Sequence, residues 1–324
     1  MLVFILRRIG AMLATMLALT FIVFYLVNLP GNLEKIAKTE GNMRMTDEQV
    51  ASWLEKEGYN RPFLVRYGEW AGGTLRGDMG WSRVFRKPVS EVVSERLGYT
   101  GILMFWVMIV MVPSALVIGI LAGMREGSML DRSLSVGSIA STSAPEYVTG
   151  IVFTVIFASF FGYMAKEVGW WPDWLYFKGI AKAGNVTVQN FTLPVMTMAI
   201  YGMGYIARLT RASMVEVMTS QYIRTARLKG LNTRAVVLKH ALRNALITPF
   251  TVIMLQFPWL LSGVVVVEAM FNYKGFGFIL VQAAGNNDIE LLLAISWVAV
   301  IVVLATQLIS DIGYAYLNPR IRVK

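Results

Sequence analysis

Glu216 to Thr248 is a basic island between two long apolar blocks. Its centre, Tyr222-Ile223-Arg224-Thr225-Ala226-Arg227-Leu228-Lys229-Gly230, interleaves cations with apolar side chains and contains no acid. Those residue types dock a partner rather than break bonds. Ser220 is placed to cap a short helix, and Gly230 to end it in a left-handed conformation that glycine adopts without steric cost. A second helical run then carries His240, Leu242 and Leu246 towards the next apolar block. Elsewhere three polar residues interrupt apolar stretches: Glu146, Gln256 and Gln307. An ionised carboxylate inside a bilayer is expensive unless it faces protein or water. Glu146 therefore either lines a polar path or pairs with another span. The two glutamines either line that path or bridge helices.

Bond-making chemistry is missing. No Gly-x-x-x-x-Gly-Lys-Ser/Thr phosphate cradle occurs, not even a Gly-Lys dipeptide, so ATP binding through such a loop is excluded. There is no cysteine, which removes disulfides, zinc thiolates and thiol catalysis, and the single histidine makes a histidine metal cage improbable. No nucleophile elbow or paired-metal motif is present. The expectation is a non-catalytic chain with no cofactor of its own.

The elements that must hold these residues are membrane spans. Of 324 residues 56% are hydrophobic, above the usual 45–50% or so of soluble chains. Apolar runs of the roughly 20 residues needed to cross a bilayer place spans at 2–29, 99–123, 134–162, 191–210, 247–270 and 290–317. The first run is basic then apolar, as a signal peptide is, but it is longer than such a segment and no small-x-small cleavage site follows. Ser143-Ala144-Pro145-Glu146 breaks the third span, which puts Glu146 near its middle. Pro145, Pro249 and Pro258 are candidate pivots. Residues 30–98 are polar, too long for a bare loop, and expected to form a small folded layer. Trp170-Trp171-Pro172-Asp173-Trp174 suits a membrane-interface belt.

The formal charge of +10 would suit nucleic acid, but its distribution points to membrane topology instead. Arg7, Arg8, the 124–133 loop, the 208–246 region and the tail hold fifteen cations against Glu126, Asp131 and Glu216. The opposite face concentrates its cations in the long 30–98 segment, where translocation largely ignores charge. Six spans with this bias place both termini and the basic island in the cytoplasm.

Arg224-Thr225-Ala226-x-x-x-Gly230 resembles the Glu-Ala-Ala-x-x-x-Gly coupling loop of ABC importer permeases. Ile223-Arg224-Thr225-Ala226-Arg227-x-Lys229-Gly230-Leu231, followed by His240-Ala241-Leu242-Arg243, is similar to the dipeptide, oligopeptide and nickel permease family. Arg7-Arg8, the turn Gly77-Asp78-Met79-Gly80-Trp81-Ser82, the Glu268 segment and Asn318-Pro319-Arg320-Ile321-Arg322 extend the resemblance along nearly the whole chain. Two departures stand out. Pro145-Glu146-Tyr147 replaces Pro-Ser-Phe, and Lys274-Gly275-Phe276-Gly277 replaces Pro-Gly-x-Gly.

The resemblance implies an all-α membrane protein with six transmembrane helices, a cytoplasmic coupling helix and a small extracytoplasmic layer after the first helix. Its parts would be an N-terminal helix (1–29), an extracytoplasmic segment (30–98), a five-helix core (99–317, coupling loop 211–246) and a cytoplasmic tail (318–324). It implies one permease of a bacterial inner-membrane importer, with a second homologous permease, two cytoplasmic ATPases that bind the ATP and Mg, and an extracytoplasmic solute-binding protein. Peptides are the expected cargo and oligosaccharides the alternative. Coupling residues would be Tyr222, Ile223, Arg224, Thr225, Ala226, Arg227, Lys229 and Gly230. A basic helix lying on anionic lipid, and a secondary transporter or channel, are the competing readings.

Overall fold

The structure, a computed structural model, describes residues 2–41, 44–169, 172 and 176–317. The tail from Asn318 and all of the tryptophan-rich stretch but Pro172 lie outside the described residues. Helices dominate: α1 (Leu2–Val27), α2 (Pro30–Glu40), α3 (Asp47–Lys56), α4 (Phe63–Leu75), α5 (Val89–Met124), α6 (Met129–Ser143), α7 (Glu146–Val168) and α8 (Val188–Met218). They continue as α9 (Gln221–Leu228), α10 (Thr233–Ala245), α11 (Ile247–Met270), α12 (Phe276–Gly285) and α13 (Ile289–Leu317). A minimal antiparallel pair, β1 (Trp81–Ser82) with β2 (Lys87–Pro88), sits between α4 and α5.

By length and composition, Leu6–Val27, Val89–Met124, Glu146–Val168 and Ile289–Gly313 are long and apolar enough to cross a membrane. Thr233–Ala245 with Ile247–Leu261, bent by 50°, adds a fifth candidate. The helix of the second span begins at Val89, ten residues before the apolar run that marks it in sequence. The third span is corrected more deeply. Pro145 cannot donate to a helix and holds Ala144 in extended backbone (φ −108°, ψ 140°), so two helices replace one. The first of them, α6, has 15 residues and rises only about 22 Å, short of a bilayer core.

The backbone forms two compact units, Met1–Thr100 with Lys274–Ala305 and Gly101–Tyr273 with Thr306–Lys324. In the first unit, α1 meets α4 through aromatic rings, Phe24 packing on Phe63, Tyr67 and Trp70. Thr46 and Gln49 close a capping box on α3. Val89, Val92 and Val93 pack on Phe276, Ile279 and Ala283 of α12 and Leu291, Ala294 and Ile295 of α13. The glycine turn is fastened here. Gly77 and Gly80 take φ of +88° and +82°, a region costly to other residues. Ser82 Oγ donates to Asp288 Oδ2 at 2.7 Å, the Val84 N–H to the same oxygen at 3.1 Å, and the Trp81 N–H to Glu290 Oε2 at 2.5 Å.

In the second unit α8 is the hub, with α6, α7 and α11 packed around it. Buried residues run along it from Asn190 to Met214 and include Thr197, Gly202, Gly204, Thr210 and Ser213. Small side chains allow close approach. A Cβ on Gly119 would strike Thr210 and the Ala207 carbonyl, one on Gly123 would strike Met214, and one on Gly204 would strike Ser141. A helix wrapped in protein needs little hydropathy of its own, which explains why α8 falls short of the apolar threshold for a span.

Candidate functional site

The basic island folds as two short helices. Ser220 occupies the N-cap of α9 with extended backbone (φ −68°, ψ 152°), but its hydroxyl donates back to the Val217 carbonyl at 2.6 Å instead of capping forward. The far end closes as a Schellman motif. The Gly230 N–H donates to the Arg227 carbonyl at 3.0 Å and the Leu231 N–H to the Ala226 carbonyl at 3.3 Å, with Gly230 at φ +77°. Asn232 caps α10, its Oδ1 accepting from the Ala235 N–H at 2.8 Å.

Ile223 and Ala226, three apart, share one face of α9. They are 0% and 5% exposed, enclosed by Met214 of α8 and Val236, Val237, Ala241 and Ala245 of α10. Burying the isoleucine alone contributes roughly 1.5–3 kcal/mol. Two hydrogen bonds tighten the joint: Ser213 Oγ to the Ala245 carbonyl at 2.9 Å, and Asn244 Nδ2 to the Tyr222 hydroxyl at 2.9 Å. Arg224, Thr225, Arg227, Lys229 and Gly230 are exposed, as is Leu228, which is 80% accessible. So α9 is fastened by its apolar side to the helices before and after it, and shows outward a face of three cations and a leucine.

Glu146 is half-buried at the first position of α7. It is therefore not in mid-span, as its place in the apolar run suggested. The Pro145 break moves it to a helix N-terminus, where the peptide dipoles favour a carboxylate. Gln256 is buried on α11, close to Gly202 of α8, against which Met111 also packs. Gln307 is exposed on α13. Among the described residues no hydrogen bond joins any two of the three. An apolar cavity of about 380 Å³, lined by Trp106, Val110, Phe191 and Val195 among others, includes none of them. Glu268 is fully buried at the end of α11, where its carbonyl accepts from the Tyr273 N–H at 2.8 Å.

One pairing escapes a reading of the sequence. Asp131, in the first turn of α6, is 2% exposed, and Arg211 of α8 holds it with Nε at 2.5 Å from Oδ1 and Nη2 at 2.7 Å from Oδ2. The Gly127 N–H and the Ser135 hydroxyl also donate to it, at 2.9 and 3.2 Å. Arg211 holds the Asp131 carboxyl well below the usual carboxylate range; burial opposes this, and Gly127 and Ser135 reinforce it. Ser128-x-x-Asp131 is readable as a helix start, Ser128 Oγ accepting from the Asp131 N–H. Eighty positions separate the aspartate from its arginine, and only the fold joins them.

The described residues thus place a basic helix between apolar segments in a chain with four helices, or five with the bent pair, long and apolar enough to cross a membrane. Residues 115–323 match the family described as binding-protein-dependent transport system inner membrane component, and the chain belongs to that family. It is 33% identical to the glutathione transport system permease protein of Salmonella typhimurium, with the whole of both chains covered. It is 32% identical to a probable peptide ABC transporter permease of Sinorhizobium fredii (99% of each) and 30% identical to the oligopeptide transport system permease protein of Bacillus subtilis (98% of each). In fold it is similar to a crystal structure of an amino acid ABC transporter, with a TM-score of 0.50 and 16% identity over 70% of this chain and 94% of that one. The protein is thus a permease subunit of a binding-protein-dependent ABC importer and works with other ABC components.

Proposed function

We propose that this chain forms half of the translocation pathway of a peptide importer, and that α9 is the coupling helix through which an ATPase drives it. The observation that carries this reading is the division of α9 into two faces. Its inner face is anchored to α8 and α10, so a push on the helix moves both. Its outer face, with Arg224, Arg227, Leu228 and Lys229, is open to a partner groove that supplies acidic and apolar groups. Tyr222 and Thr225 flank that face, while Ile223, Ala226 and Gly230 give the helix its seat and its end.

In this reading α1, α5, α7, α8, α11 and α13 make six spans. The charge bias puts α9, α10 and both termini in the cytoplasm. Residues 30–98 form the layer on which a solute-binding protein docks, and 99–317 form the core. A second homologous permease and two ATPases complete the assembly. ATP and Mg bind on the ATPases, and this chain is non-catalytic. Glu146, Gln256 and Gln307 are the polar candidates along the path. Peptide cargo is supported by the relatives named for peptides and glutathione.

The test is purification of the complex through this chain in mild detergent, followed by mass spectrometry and uptake assays with Leu228→Asp. The expected result is co-purification of ATPases and a second permease from wild type. The variant should be inserted at normal amount, should lose the ATPases, and should take up peptide at least about tenfold more slowly. Wild-type uptake and ATPase recovery by the variant would overturn the reading. Isolation of this chain alone under several detergents would favour a secondary transporter, and retention of ATPases with a changed lipid requirement would favour a lipid-surface role for α9.

A further inference from the structure

We propose that Asp131 and Arg211 are positioning residues that pin α6 to α8, so that displacement of α9 is delivered through α8 and α6 to the break at Ala144-Pro145. The inference rests on the coupling role of α9. Arg211 lies three positions before Met214, and Met214 belongs to the same buried cluster as Ile223 and Ala226. The pair is bidentate, with both guanidinium contacts at 2.7 Å or less, which fixes orientation as well as distance. The other bonds to the Asp131 carboxylate come from Gly127, just before α6, and Ser135, in its second turn, so the carboxylate is bound to one helix and clamped by the other.

A second fastening lies further along the same two helices. Gly204 brings the α8 backbone against Ser138 and Ser141 of α6, and a single Cβ there would collide with Ser141. Held at both points, α6 moves with α8. Packed segments of this kind shift as rigid bodies, and the change of shape is absorbed where the chain leaves the helix. That place is Ala144-Pro145, where the backbone is extended and no helical hydrogen bond crosses, and Glu146 begins α7 immediately beyond it. The pair is thus part of the transmission from the docking helix to a candidate pathway residue.

Two experiments with the assembled transporter in proteoliposomes test this. The first uses Arg211→Lys, which keeps the charge and loses the two-pronged grip. Expected are normal recovery of partner ATPases and unchanged basal ATP hydrolysis. Stimulation by loaded binding protein should be lost, and uptake should fall by about tenfold or more. A role confined to stability would lower the amount of complex without changing the ratio of uptake to hydrolysis per complex. That result, or uptake and stimulation within about twofold of wild type, overturns the proposal.

The second exploits the absence of cysteine in this chain. Ser138 and Ala207 line one crevice between α6 and α8. In Ser138→Cys/Ala207→Cys, oxidative cross-linking should leave uptake intact if the two helices travel together. Uptake that stops on oxidation and returns with reductant refutes a common motion. The outcomes also separate the two readings. Normal transport by Leu228→Asp defeats the coupling role itself, whereas an inactive Leu228→Asp beside a normal Arg211→Lys defeats only the pin.

Discussion

Ala226 and Leu228 sit two positions apart on α9 and have opposite environments. Ala226 is 5% exposed against α8 and α10, so Ala226→Arg forces an unpaired guanidinium into an apolar joint. We expect it to lower the amount of folded protein, by about 3 kcal/mol or more, before any partner is involved. Loss of uptake by that variant is therefore no test of docking, whereas Leu228→Asp is. Gly230 has open space around its Cβ position and φ of +77°. Gly230→Ala should cost about 1–2 kcal/mol from backbone conformation alone, and Gly230→Asn less, as read by amide-exchange protection across 226–231. Asp131 makes an acid-side prediction. Its carboxyl is depressed in the folded state, so its contribution is complete above the unfolded carboxylate value. The contribution is lost as pH falls from about 4 towards the folded value. Asp131→Asn should flatten the fall in Tm of the purified complex below about pH 4, and an unchanged slope would remove Asp131 from the acid response.

At the scale of elements, α8 shows how far hydropathy and position can diverge. It carries Thr197, Gly202, Gly204, Thr210 and Ser213 at buried sites because helices surround it. Its neighbours approach at small residues, so bulk is what it cannot tolerate. Gly204→Val should separate α8 from α6 and depress both Tm and membrane level more than Gly137→Val, a position with open space beside it. The glycine turn after α4 is held in the same specific way. Ser82 Oγ bonds Asp288 and accepts from the Phe85 N–H. Ser82→Ala leaves that part-buried N–H and the buried Asp288 carboxylate short of a partner, a loss of about 1–3 kcal/mol that a thermal scan of the complex resolves. The prolines differ in effect. Pro145 divides two helices, as its clash with the preceding backbone requires, while Pro113, Pro194 and Pro258 are carried inside helices that continue past them.

At the scale of the whole molecule, sequence order and spatial association part company. The first hundred residues join with Lys274–Ala305 in one unit, across a separation of more than 170 positions. In that unit the Gly80-Trp81-Ser82 turn meets Asp288 and Glu290, two acids that in sequence read as an ordinary loop and helix start. Membership of the binding-protein-dependent permease family means that this chain alone is an incomplete machine. Uptake in a reconstituted system should therefore require ATPases and a binding protein, and omission of either should reduce it to background. Uptake by this chain alone, driven by an ion gradient, would contradict that requirement.

Membrane class, the long apolar helices, the basic loop with its Gly230 helix terminus and the absence of a phosphate cradle were all legible in residue order. Each depends on local properties: hydropathy over about 20 residues, positive φ at a glycine, or a contiguous motif. The two faces of α9 were only half legible. Helical spacing puts Ile223 and Ala226 together, but which side meets its own chain depends on where α8 and α10 lie. The Asp131–Arg211 pair and the Ser82–Asp288 bond were decided by tertiary structure alone. Each follows from a contact between segments distant in sequence, and no window along the chain contains both partners.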